Sequence, residues 1–238
     1  MSSDSLEDAE KLDGYRASCQ NNRANREARK GQLYELSRIS NEATDFLREA
    51  IEEFPIVRSC EFAILDSTAD DGLPHTRPPN LVCLPANMCK SAPASTQFKV
   101  TLVHEAMHVH QRKYKTEWDE GCKRAGWTPL DSEKIPAEFK ERARINPDTM
   151  ATPFWAWDKY HVPLPLFRRP DSASLTEAPV EWMDLRTGSL FHSPPPSFVK
   201  KYGDSVPQAE HPYEIYADLF SRKWVRTHED VLENLKRI

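Results

Sequence analysis

The chain has 238 residues, a net charge of −5, 39% hydrophobic residues and a mean hydropathy of −0.69. That is a polar but foldable balance, with no basic footprint for nucleic acid and no apolar run near the ~20 residues of a membrane span. The five cysteines, Cys19, Cys60, Cys83, Cys89 and Cys122, are odd in number and form no CxxC; this argues against a disulfide framework or a four-thiolate zinc site and for free thiols in a reducing compartment.

The first ten residues are acidic and lack an apolar h-region, so no secretory signal is expected and the expected location is intracellular, in the cytoplasm. Residues 1–30 carry many charges and amides and little apolar face, which predicts a mobile or loosely packed N-terminal segment with solvated Lys and Arg. A single domain is expected over 31–238. Leu33, Leu36, Ile39, Phe46, Leu47, Ala50, Ile51 and Phe54 recur at helical spacing and predict one or two helices over 31–54, stopped by Pro55. Cys60–Leu65 reads as a strand, 66–80 as a loop, and Leu81–Leu84 as a second short strand. That second strand is a candidate edge against which an extended peptide could align.

A helix capped by Ser95 or Thr96 is expected next. Phe98, Val100, Leu102, Val103, Ala106, Met107 and Val109 surround most of it, while Gln97, Thr101, His104, His108 and Gln111 form one polar stripe. A helix apolar nearly all round except for a stripe centred on two histidines lines something. Beyond it, residues 136–143 suggest a short helix. Phe154–Trp157 and Val162–Phe167 are extended, and Val180–Leu185 with Ser189–Phe191 read as a hairpin around Gly188. Trp155, Trp157 and Trp182 read as core and cross-strand packing. Pro212 opens a helix, and Thr227 caps the last one. The whole predicts an α+β fold: a helical N-terminal part, a small mixed or antiparallel sheet, and two metal-bearing helices.

The chemistry lies in His104-Glu105-Ala106-Met107-His108, an HExxH match. Residues four apart on a helix differ by about 40° around the axis, so the two imidazoles share a face and can hold one zinc ion, with Glu105 beside them for a water proton. His110 lies about 200° from His108 and is excluded from that ion. A third ligand must come from elsewhere. Glu214, at the start of an apolar helix, is the choice, with Glu117, Asp119 and Glu120 as alternatives. Asp218, one turn after Glu214, is expected to accept the Nδ1–H of a ligand histidine. Tyr213, His211, Tyr160, His161 and Arg186 are candidates for stabilising an oxyanion, and spacing does not choose among them. His75, His161, His192 and His228 read as surface or locally bonded residues.

HExxH followed by Glu214-Ile-Tyr-Ala-Asp218, an ExxxD spacing on a second helix, resembles the gluzincin group of zinc metallopeptidases. The resemblance covers two short helices. It implies a zincin-like domain with His104, His108 and Glu214 as zinc ligands, Glu105 as general base, Asp218 behind the ligands, and a peptide or protein substrate. Two other readings use the same residues: a zinc hydrolase acting on a non-peptide bond, and a binding protein that keeps the fold without turnover.

Overall fold

A computed structural model describes residues 3–91 and 95–238. In chain order the helices and strands are α1 (Ser3–Asp13), α2 (Tyr15–Asn21), α3 (Arg23–Ala28), α4 (Asn41–Glu53), β1 (Glu61–Leu65), β2 (His75–Arg77), β3 (Leu81–Pro85), α5 (Ala86–Ser91), α6 (Thr96–Lys113) and α7 (Lys115–Ala125). There follow β4 (Trp127–Pro129), α8 (Ala137–Arg142), β5 (Trp155–Trp157), β6 (His161–Pro165), β7 (Val180–Asp184), β8 (Leu190–Phe191), α9 (Pro196–Tyr202), α10 (Pro212–Arg222) and α11 (His228–Leu235). The architecture is mixed α+β. No helix among the described residues is long and apolar enough to cross a membrane.

The strands form two sheets. One has the order β1-β3-β2, with β1 parallel and β2 antiparallel to β3; the other is antiparallel in the order β4-β5-β6-β7-β8. Residues Leu81–Pro85 of β3 are all buried. The expectation of an edge strand there is therefore corrected: β1 and β2 occupy both of its sides, and no peptide can pair with it. The loop expected over 66–80 also contains β2, a short strand whose His-Thr-Arg sequence carries no alternating apolar signal.

The helix expected over 31–54 is shorter. Ser40 accepts a hydrogen bond from the Ala43 amide and starts α4 at Asn41. Ahead of it the chain runs extended beside β1, where Ser37 N donates to Ile64 O and Asp66 N to Glu35 O. Helix α7 was not anticipated, because Lys115–Ala125 is polar except for Trp118, Cys122 and Ala125, of which Trp118 and Cys122 are fully buried.

The N-terminal segment differs most from expectation. Residues 3–28 form three helices, and Ala9, Tyr15, Cys19, Ala24, Asn25 and Ala28 are buried. Polar bonds rather than an apolar face dock them. Arg77 on β2, fully buried, pairs with Asp13 at 2.6 Å and Glu10 at 2.7 Å. Tyr15 and Arg29 both donate to Asp70 Oδ1, at 2.8 and 2.7 Å. Arg29 is thus not part of a solvated face. Asn25 donates to Ala143 O and accepts from Ile145 N, each at 2.8 Å, gripping the loop after α8.

One large apolar cluster joins α4, β1, β3, α6, α7, α10 and α11, with Trp118, Trp127, Trp155, Trp157 and Trp182 inside it. The tryptophans are core, as their spacing suggested. Ser95 caps α6 through Phe98 N, and Leu102, Val103, Ala106 and Met107 are at most 1% exposed. Burial on nearly all sides holds α6 rigidly beside α10, and this pairing positions the site.

Candidate metal centre

His104 and His108 project from adjacent turns of α6. Their rings stand 4.8 Å apart edge to face, and the two Nε2 atoms are 3.0 Å from each other. From α10, Glu214 brings Oε2 to 3.3 Å from each of those nitrogens. His108 and Glu214 are buried, while the His104 side chain keeps 12% of its surface exposed. These three residues form a group able to hold a metal ion. The sequence choice of Glu214 over Glu117, Asp119 and Glu120 agrees with this geometry. Glu117 and Glu120 are exposed on α7, and Asp119 is engaged by Lys115 and the Tyr213 hydroxyl.

The donor set fits a cation. A tetrahedral ion with bonds of ~2.0–2.1 Å separates its ligand atoms by ~3.3 Å, and the three distances here are 3.0, 3.3 and 3.3 Å. Glu214 Oε2 is fully buried and has no hydrogen-bond partner. Such an anionic oxygen is unfavourable unless a cation or proton meets it. Without a metal, protons fill the role. Burial pulls His108 down, but the Glu214, Asp148 and Glu105 carboxylates outweigh it and raise it to about 10. Glu214 is held well below its usual range, since the two imidazoles overcome the opposing effect of burial.

The supporting shell differs from the expected one. His108 Nδ1 lies 2.8 Å from Gln111 Oε1, and Gln111 Nε2 donates to Tyr213 O at 2.8 Å. The second bond fixes the Gln111 amide so that Oε1 faces the ring. His108 therefore donates from Nδ1 to Gln111, and with a cation in the cluster its Nε2 would be free to offer a lone pair. Asp218 does not play this part, which corrects the expectation. Its carboxylate accepts from Arg222 Nε at 2.8 and 2.9 Å, because Arg222 sits one turn further along α10. The other support is Asn146, whose Nδ2 donates to Glu214 Oε1 at 2.7 Å and to Glu210 Oε1 at 3.1 Å. Its Oδ1 accepts from Asp148 N, which sets the amide orientation.

Glu105 is buried, and its Oε2 has no partner. Burial, then the Asp148 and Glu214 carboxylates, push it up to about 7 against the pull of His104 and His108. A cavity of about 240 Å³ opens before these residues. Gln97, Thr101, His104 and Glu105 of α6 form one wall, with Glu214 and Asp218 of α10 beside them. Tyr15, Arg29, Asp70 and His75 line it from the N-terminal helices and the β2 side, and Arg144, Asn146 and Asp148 from the loop after α8. His75 is buried rather than superficial: besides Leu73 O at 3.2 Å it meets the distant Tyr34 hydroxyl at 2.7 Å and pairs with Asp70 Oδ2 at 3.7 Å.

None of the five oxyanion candidates lines this cavity. His211 caps α10: its Nδ1 accepts from Tyr213 N and its Nε2–H donates to Thr152 O. The Tyr213 hydroxyl is committed to Asp119. Tyr160, His161 and Arg186 belong to the five-stranded sheet region, where Arg186 pairs with Asp184 and covers the Tyr160 ring. His110 faces away from the cluster, accepting from Trp118 Nε1 and contacting His228. Gln111 was legible as part of the polar stripe, three residues after His108. Asn146, Asp148 and Asp70 carried no sequence signal, being distant from both motifs. Comparisons with protein-family models, with curated proteins and with solved structures each find no match.

Proposed function

We propose that this chain is a zinc-dependent metallopeptidase of the gluzincin type, with a zincin-like arrangement of α6, α10 and the three-stranded sheet. His104, His108 and Glu214 hold the ion, and Glu105 is the general base. The supporting observation is the convergence of three donor atoms, at tetrahedral spacing, beside a buried carboxylate with a spare oxygen. The five free thiols fit an intracellular setting.

A zinc ion bound here would supply Lewis acidity, lowering the pKa of a water toward ~7 and polarising a carbonyl oxygen. Glu105, beside the cluster, would take a proton from the attacking water and pass it to the departing amine. Its elevated proton affinity comes from burial and from the neighbouring carboxylates; a divalent ion held by His104, His108 and Glu214 would lower that affinity. Arg144, a residue of the cavity wall, pairs with Glu210 through Nη2 and keeps a buried Nε–H without a partner. Gln111 and Asn146 hold His108 and Glu214 in register.

Elemental analysis of purified protein should find one zinc per chain in the wild type and loss of it in His104→Ala. Glu105→Gln should keep the metal and reduce peptide-library cleavage by ~10²–10⁴-fold. A wild type without metal, or a Glu105→Gln protein that cleaves at the wild-type rate, contradicts the reading. A second reading, a zinc hydrolase acting on a small non-peptide substrate, is favoured by the buried, central position of β3 and the small cavity. Parallel assays on small amides and esters separate the two.

A further inference from the structure

A second cavity, of about 300 Å³, opens between α1, the C-terminal end of α6, residues 147–152 and the start of α10. Leu12, Pro78, Met150 and Ala151 give it a largely apolar lining, and Leu12 is 64% exposed. Of the described residues, it shares only Pro147 and Asp148 with the cavity before the metal cluster. Gln111 stands in its wall and meets His108 at Nδ1. The second cavity therefore lies behind the ligand histidine, away from the Nε2 atoms of the cluster.

Arg112 is the wall residue whose charge is left over. Its Nη2 donates to Thr76 Oγ1 at 2.8 Å, and Nη1 makes only a long 3.5 Å contact with Arg77 O. Among the described residues it has no ion-pair partner, because the acids nearby are engaged elsewhere. Asp13 holds Arg77 with both oxygens. Asp148 Oδ1 accepts from the Thr76 amide and hydroxyl, and it reaches Arg112 only through that hydroxyl. Lys115, the other cation of the wall, is paired with Asp119 at 2.5 Å. Burial holds the Arg112 guanidinium below its usual range, against the pull of Asp148 and Asp13. In spite of burial, the ion-paired Arg29 and Arg77 stand above theirs. A sequestered positive charge short of a counterion is unfavourable, and an anion beside it relieves that cost.

We propose that this second cavity binds a small monocarboxylate with an apolar body, its carboxylate on Arg112 and its chain against Leu12, Pro78 and Met150. A guanidinium presents a planar fork of donors that matches a carboxylate. A single unpaired cation beside Asp13 and Asp148 takes one negative charge, where the dianion of phosphate would be repelled. The volume sits at the lower bound of the ~300–1,000 Å³ of small-molecule pockets, which suits a medium-length aliphatic acid. The inference stands apart from the metallopeptidase reading, since nothing in that chemistry uses Arg112.

The test is calorimetric titration of the full chain with octanoate and with octanamide, a neutral molecule of nearly the same shape. Octanoate should bind at least about tenfold tighter, as expected for a charge-assisted bond out of bulk water. Arg112→Gln keeps hydrogen-bond donors without the charge, and it should erase that preference. Ala151→Trp places a bulky ring at an exposed point of the wall and should block both probes. Octanoate held by a metal at the His104, His108 and Glu214 cluster would be indifferent to that ring, so octanoate binding that survives in Ala151→Trp overturns the proposal. Equal affinities for the two probes in the wild type overturn it too, whether or not Arg112→Gln folds. So does a wild type that binds neither probe, or a preference for octanoate that persists in Arg112→Gln.

Discussion

Replacing Asn146 by Ala tests the site where it departs from the sequence expectation. Asn146 touches no ligand-binding nitrogen, yet its Nδ2 is the donor that occupies Glu214 Oε1 at 2.7 Å, turning Oε2 toward the imidazoles. A charge-assisted hydrogen bond in a buried setting is worth ~1.5–3 kcal/mol. Removing such a partner from a metal ligand typically costs ~10–100-fold in metal affinity, or ~1.4–2.7 kcal/mol, and the two ranges overlap. The zinc Kd of Asn146→Ala should therefore rise by ~10–100-fold, read by competition with a chromophoric chelator at fixed pH. Asp218→Ala is the contrast, since its carboxylate is bound to Arg222 and not to a ligand histidine; its Kd should stay within about threefold of wild type. Wild-type affinity in Asn146→Ala, or an equal loss in Asp218→Ala, would refute the assignment.

Other outcomes follow from the same contacts. Asn25→Ala leaves Ala143 O and Ile145 N without their buried partner, which should cost ~1–3 kcal/mol per group in urea unfolding and weaken zinc binding by loosening the loop that carries Asn146. Arg77→Leu strands Asp13 and Glu10 beside β2 and should destabilise the chain by ~3–5 kcal/mol, with protease sensitivity appearing first over residues 3–28. His211 is buried and neutral, its value lowered from 6.5 to about 4 by burial. The unfolded chain binds a proton there at ~6.5 and the folded chain does not, so stability is lost as pH falls from ~6.5 toward 4, by at most ~1.4 kcal/mol per unit. His211→Asn keeps a cap for α10, and in metal-free protein it should flatten that part of the stability–pH curve; an unchanged curve would contradict the assignment.

Much of the framework was legible from local pattern. The apolar rows of α4, α6 and α10 repeat at helical spacing because each helix must bury one side. Ser95, Pro212 and Thr227 mark helix starts through cap chemistry that needs no distant partner. His104 and His108 share a face by helix geometry, and a glutamate placed on an otherwise apolar helix start pointed to Glu214. The N-terminal helices escaped such reading because they dock through Arg77, Asp70 and Asn25, long-range polar bonds that leave no periodic trace.

The sequence by itself determined that two imidazoles and a neighbouring carboxylate would stand together on one rigid helix, since a 3.6-residue repeat fixes that at any such spacing. Tertiary structure decided everything that depends on chain segments meeting: the approach of Glu214 to within 3.3 Å, the Asn146 and Gln111 bonds that aim the ligands, and the cavity walled by Tyr15, Arg29 and Asp70. Side-chain hydrogen bonds between residues far apart in the chain act over about 3 Å, and only packing brings their partners within that reach.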